Sequence, residues 1–291
     1  MFLLAGRPAG PFRRPLGIPT GPSRGDPPAP FTKLGFVAKT TIEGAYRGGH
    51  LAPQGVHCAA SALFHIAARR TFMTDRHPRG RAPGSDPRSV LVVVDLQVDF
   101  LPGGALAVPG GHEVLGLCNR AAATFRNVVL TQDWHPPGHA SFASSHSGRV
   151  PFETIDLPYG PQVLWPDHCV EDTPGARFSA HVDVPHAQLI IRKGVHKGID
   201  SYSTFYEADR TTPTGLSGYL RDKGIDTVYL AGLATDFCVA WSAVDAARHG
   251  FATHVVDDCC RAIDLDGSLA KAWADMTAAG VRQVRLDDLA V

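Results

Sequence analysis

The sequence lacks several features, and each absence narrows the reading. No apolar run reaches the roughly 18 residues that a membrane-spanning helix needs. Charge of one sign is missing too: 28 Lys and Arg face 28 Asp and Glu, so net charge gives no sign of a nucleic-acid binder. The six cysteines (Cys58, Cys118, Cys169, Cys238, Cys259 and Cys260) form no CxxC pair and are scattered, unlike a small secreted disulfide scaffold. They read as reduced thiols in a cytoplasmic protein. No repeat at a fixed period occurs.

Acidic residues are nearly absent before Thr71, where only Asp26 and Glu43 occur among many arginines. No sustained apolar period appears before about Ser61. Proline and glycine are dense there, as in Asp26-Pro27-Pro28-Ala29-Pro30. Such a stretch buries too little apolar surface to offset its ordering entropy. Residues 1–87 are therefore expected to be a disordered, low-complexity extension. Its charge bias fits either a targeting segment or an upstream stretch that a start at Met73 removes.

The texture changes at Ser89. Short apolar, β-branched runs predict strands at Val90–Val94, Asn127–Leu130, Gln188–Ile191, Thr227–Leu230, Ala252–Val256 and Arg282–Arg285. Helical patterns predict helices at His112–Phe125, Gly215–Lys223, Phe237–His249 and Ser268–Ala279. Continuous apolar strands alternating with helices imply an α/β fold: a doubly wound, mostly parallel sheet of about six strands with helices on both faces. Residues 88–291 form that domain.

Ligands of open α/β sheets bind beyond the carboxyl ends of the strands. Asp95, Asp133 with His135, Lys193, and Cys238 each follow one of these runs. Cys238 falls in the first turn of a predicted helix that Thr235 or Asp236 could cap. The turn's N–H groups and dipole are expected to lower the thiol's pKa and to hold an oxyanion. Asp95, leaving a fully apolar run, is expected to have a raised pKa and to serve as base and then acid. Lys193 is expected to balance the charge of both. The alternative for Asp95 and Lys193 is a purely structural ion pair. Asp133, His135, His139 and His168 offer a donor set suited to Zn²⁺, Fe²⁺ or Mn²⁺, although His139, like His146 and His181, could be an ordinary surface histidine.

Together these segments resemble the nicotinamidase/pyrazinamidase branch of the isochorismatase-like cysteine hydrolases. The resemblance runs through Val94-Asp95-Leu96-Gln97-Val98-Asp99-Phe100, Gly103-Gly104-Ala105-Leu106, Thr131-Gln132-Asp133-Trp134-His135-Pro136, His139-Ala140-Ser141-Phe142 and Trp165-Pro166-Asp167-His168-Cys169. It continues through Lys193-Gly194, Ile199-Asp200-Ser201-Tyr202-Ser203, Gly232-Leu233-Ala234-Thr235-Asp236-Phe237-Cys238 and Cys260-Arg261-Ala262, and leaves out the first 87 residues. The resemblance implies hydrolysis of nicotinamide, with pyrazinamide also accepted, feeding NAD salvage. It makes Cys238 the nucleophile, Asp95 the base and acid, and Lys193 the supporting cation. It implies an oxyanion hole at the N–H groups of Ala234 and Cys238, with a cis peptide before Ala234. Asp133, His135 and His168 would hold one divalent metal that anchors the pyridine nitrogen, with His139 a fourth ligand or an outer neighbour. Phe100, Leu106 and Trp165 would line the ring pocket. No nucleic-acid or membrane partner is implied, and a homo-oligomer is compatible with the sequence. Two rivals stand beside this reading: the same triad acting on carbamoyl or vinyl-ether substrates, and a metal-stabilised binding domain with an inert Cys238.

Overall fold

The computed structural model describes residues 82–289; the expectations for residues 1–81 lie outside that range. Six strands form one parallel sheet: β1 (Ser89–Val94), β2 (Val128–Asp133), β5 (Leu189–Lys193), β6 (Thr227–Leu233), β7 (Ala252–Arg261) and β8 (Arg282–Val284). Their spatial order is β5-β2-β1-β6-β7-β8, with every pairing parallel. The chain winds outward from β1 to one edge, then returns to the other side of β1 and winds to the opposite edge. The reversal lies between β1 and β6, and such a switch point opens a crevice at the strands' carboxyl ends.

The alternation within β1 shows how the core is divided. Val90, Val92 and Val94 pack on one face with α2 (Leu216–Asp222), α3 (Ala240–Arg248) and α4 (Ser268–Ala278). Leu91 and Val93 pack on the other with α1 (Val114–Thr124). All five are at most 1% exposed, and each contributes roughly 1.5–3 kcal/mol of burial. A strand buried on both faces must read as an unbroken apolar run, as this one does.

Three differences from the sequence reading have physical causes. Strands β2, β5, β6 and β7 run two to five residues further than their apolar cores, because polar residues such as Thr131, Gln132 and Asp133 still pair in the ladder. An antiparallel hairpin, β3 (Thr154–Leu157) and β4 (Gly160–Val163), was not expected; its strands are too short for alternation to stand out. The turn that carries Cys238 is a wide π-helical turn, Thr235–Val239, ahead of α3. Neither Thr235 nor Asp236 caps it through a side chain. The Asp236 carboxylate instead accepts hydrogen bonds from the Ile263 and Asp264 N–H groups and the Ser268 hydroxyl.

Among the described residues, no helix is long and apolar enough to cross a membrane. The five described cysteines are free and buried.

Candidate active site

The carboxyl ends of β1, β2, β5 and β6 bring the reactive groups together. Lys193, the last residue of β5, lies in register beside Asp133, the last residue of β2. Its ammonium is fully buried and lies 2.9 Å from Asp95 Oδ2, in contact with Asp133 Oδ1, and donates to the Ser201 carbonyl at 3.0 Å. It also reaches Cys238 Sγ at 3.3 Å. Burial works against this charge, but Asp133 and Asp95 outweigh it and hold the lysine's pKa well above its usual value.

Asp95 leaves β1 with a left-handed φ of 50°, a conformation that turns its carboxylate out of the ladder. The Thr131 hydroxyl donates to its Oδ1 at 2.6 Å. Burial raises its pKa to about 6, against the pull of Lys193. At neutral pH Asp95 is thus ionised yet close to its pKa, as a general base requires.

The expected low thiol pKa does not occur. Burial pushes Cys238 well above the ordinary thiol value; Lys193 pulls it down, and the nearby Asp133 and Asp95 charges add to the rise. The resting group is a neutral thiol, and any nucleophilic use of it needs a base to take its proton. β6 reaches the turn through Gly232, whose φ is 120° and whose Cβ, if present, would lie 2.1 Å from the Val94 carbonyl oxygen. The missing side chain lets β6 close on the end of β1, where Asp95 and Cys238 diverge. The Leu233–Ala234 peptide that follows is cis.

Beside this group sits a nitrogen and oxygen donor cluster. His135 donates from Nδ1 to the Gly194 carbonyl at 3.0 Å, and His168 from Nδ1 to the Pro166 carbonyl at 2.8 Å. Both Nε2 atoms are thereby left as lone-pair donors, 3.8 and 3.9 Å from Asp133 Oδ2. Those separations can be spanned by three bonds of about 2.0–2.2 Å to one ion. Burial lowers His135 to about 3, helped by His139, and His168 to about 4, helped by His135. Both rings are neutral at physiological pH, the form that ligates metals. The residues fit a divalent cation. His139 is buried, not a surface histidine. It stacks on His135 at 4.3 Å, donates from Nε2 to the Ile199 carbonyl and accepts from Ser141 at Nδ1. Both its nitrogens are engaged, which places it behind His135.

A small cavity joins the two groups. Phe100, Leu106 and Trp165 line it with Cys238, Ala234, Asp133 and His168. Trp165 meets Phe237 edge-on at 4.9 Å and donates from its indole N–H to Tyr202 Oη at 2.9 Å. The walls are aromatic and the floor is reactive, which suits a flat ring bearing a carbonyl group. A larger groove between α3 and α4 offers no comparable convergence; its charged residues are already engaged, Lys271 with Asp275, Arg210 and Arg248 with the neighbouring Asp245, and Asp236 with the Ile263 and Asp264 N–H groups and Ser268.

Sequence reasoning overlooked several contributors. Gln97, just past β1, accepts the Asp133 N–H and donates to the Asp133 and Ala176 carbonyls, fixing the strand end that carries Asp133. Thr131 orients Asp95. Both are polar residues at ends of apolar runs, a signal read only for charged side chains. Tyr202, Phe237 and Asp200 also line the cavity. Tyr202 and Asp200 follow no apolar run that would mark them, and Phe237, beside Cys238, carries no reactive group to single it out.

The isochorismatase domain family matches residues 89–288. A curated nicotinamidase of Acinetobacter baylyi is 57% identical over 194 residues, covering 67% of this chain and 91% of the relative. A solved nicotinamidase/pyrazinamidase structure from Acinetobacter baumanii is 56% identical with a TM-score of 0.70, covering 70% of this chain and 99% of that one. The pyrazinamidase of Pyrococcus horikoshii, solved in complex with zinc, is 35% identical with a TM-score of 0.57, covering 68% and 99%. Sequence match and likeness of fold extend over the same two-thirds of the chain that carries the site, and the chain belongs to the isochorismatase domain family.

Proposed function

We propose that this chain is a nicotinamidase, an amide hydrolase that converts nicotinamide to nicotinate and ammonia through a cysteine thioester. One observation carries the reading: a neutral thiol, a carboxylate poised near pH 6 and a buried ammonium meet in an aromatic cavity whose other wall is a metal-type donor cluster.

Asp95 takes the Cys238 proton, and the sulfur attacks the carboxamide carbon. Lys193 holds the anionic groups together as charge moves from carboxylate to sulfur. The backbone N–H groups of Ala234 and Cys238 hold the tetrahedral oxyanion. The C–N bond breaks, and Asp95 delivers its proton to the departing nitrogen. Water, giving a proton to Asp95, then cleaves the thioester and restores the thiol. Phe100, Leu106 and Trp165 hold the ring. Asp133, His135 and His168 would hold one divalent ion, zinc, iron or manganese, with His139 supporting His135. When bound, that ion supplies an electrophilic anchor for a ring nitrogen. The anchor favours pyridine and pyrazine carboxamides, so pyrazinamide is a second substrate, and it disfavours the carbamoyl and vinyl-ether rivals. The product nicotinate enters NAD salvage. Free thiols at the five described cysteines suit a reducing, cytoplasmic setting.

The test is ammonia release from nicotinamide before and after chelation. Release that chelation abolishes and zinc, iron or manganese restores supports the reading. No release from folded, metal-loaded protein, or release indifferent to chelation, overturns it.

A further inference from the structure

Asp200 is a buried carboxylate that the catalytic cycle leaves unused. It is 2% exposed, lines the catalytic cavity and comes from the loop after β5. Its oxygens accept the Ser201 N–H at 2.8 Å and the Gln162 side-chain N–H at 2.7 Å. Both donors are neutral, and among the described residues no lysine or arginine pairs with it. Its carboxylate and one ring nitrogen each of His135 and His139 lie within 4.8 Å of one another.

A buried carboxylate without a cation is costly. The hydrogen bonds from the Ser201 N–H and the Gln162 side chain favour its ionised form. The missing cation follows from a charge count around the cavity. Asp95, Asp133 and Asp200 are three buried carboxylates, and Lys193 is one buried ammonium. With Cys238 a neutral thiol, one divalent ion brings the group to neutrality. Without Asp200 the loaded site would carry excess positive charge in a poorly solvated pocket. Asp200 converges with His135 and His139 and not with Asp133 and His168, so toward an ion held by Asp133, His135 and His168 it acts at a distance and not as a ligand.

We propose that Asp200 is a positioning residue of the metal centre, whose buried charge beside His135 sets the affinity of the Asp133, His135 and His168 site for a divalent cation. This rests on the donor-cluster reading above. Gln162, on β4, ties the same carboxylate to the hairpin and to Tyr202, so the hairpin takes part in holding the charge in place.

The experiment is zinc titration of chelator-stripped, full-length protein against a competing fluorescent chelator, with melting curves before and after zinc. Asp200→Asn keeps the shape of the group and removes its charge. It is expected to weaken zinc binding about 10- to 100-fold, the effect typical of losing an outer partner of a metal site, and to shrink the zinc-induced rise in melting temperature. Asp200→Glu keeps the charge and is expected to bind at least about tenfold more tightly than the Asn variant. Zinc affinity of Asp200→Asn within about twofold of the parent, even with a lowered metal-free melting point, would mean a structural role only and overturn the proposal. If the Asn variant does not melt cooperatively, the Glu variant decides alone: a loss as large as that expected for Asn overturns it. Asp133→Ala separates the two readings. Its loss of zinc binding upholds the donor cluster, and unchanged binding there overturns the cluster and this proposal together.

Discussion

Replacing Lys193 by methionine tests the electrostatic core of the site most directly. The side chain keeps its length and apolar stem, and only the ammonium is lost. In the parent protein that ammonium is the cation paired with Asp95 and Asp133, all three being buried. Even with Lys193 present, Asp95 sits at about 6, which represents about 3 kcal/mol of reluctance to ionise at roughly 1.4 kcal/mol per tenfold change. Without the cation, two buried carboxylates oppose each other, and breaking such a pair costs about 3–5 kcal/mol. For a domain of roughly 200 residues this corresponds to a melting point lowered by roughly 6–20 °C. The sign of its pH dependence is fixed. Asp95 has a folded pKa above its unfolded one, so protonating it favours the fold. The penalty in Lys193→Met is full only above the variant's folded Asp95 pKa, which loss of the cation moves above the parent's value of about 6; it shrinks as pH falls through that pKa and fades toward the unfolded value of about 3.9. Thermal melts of metal-free protein at pH 8 and pH 5 measure it. Melting points within a degree of the parent, or a deficit unchanged between the two pH values, would refute the reasoning.

Cys238→Ala is expected to abolish ammonia release while zinc and nicotinamide still bind, checked by steady-state assay and calorimetry; retained turnover removes Cys238 as nucleophile. The kcat/KM profile should fall below about pH 6, tenfold per unit, because Asp95 must be ionised to take the thiol proton. His135 and His168 stay neutral across that window at about 3 and 4, so a profile flat from pH 7 to 5 contradicts the assignment of Asp95. Gly232→Ala forces a Cβ to 2.1 Å from the Val94 oxygen at a φ of 120°; a loss of at least about 3 kcal/mol is expected from strain and overpacking, read by urea unfolding. Gly194→Ala places a Cβ 2.4 Å from the His135 ring and should weaken zinc binding about 10- to 100-fold by turning that ligand.

Much of this was legible in the sequence, for identifiable reasons. A sheet covered on both faces writes its strands as unbroken apolar runs, so Val90–Val94 and its counterparts were visible and their parallel pairing followed. The same logic marked Asp95, Asp133, Lys193 and Cys238, which end those runs and which the structure gathers within hydrogen-bonding or ion-pair reach of Lys193. What stayed hidden depends on three-dimensional neighbours. The thiol's pKa was misjudged because a helix terminus is visible in sequence while the depth of burial and the nearby carboxylates are not. Asp200 lies in a loop without periodicity, and its importance arises only where the fold sets it against His135 and His139. The hairpin at Thr154–Val163 is held by contacts such as Gln162 with Asp200 and Tyr202 rather than by its own pattern.

The place of β5 at the margin of the sheet has a consequence for how the molecule fails. This strand pairs with β2 alone, and marginal strands are among the first parts to open in sub-global fluctuations. Yet β5 delivers Lys193, and the residue after it supplies the carbonyl that orients His135. A brief fraying of one peripheral strand therefore disconnects the thiol's cation and loosens His135, one of the proposed metal ligands, while the interior stays folded. Inactivation should precede loss of secondary structure as denaturant rises. A bound ion, by holding His135 and Asp133, should latch that strand and draw the two transitions together.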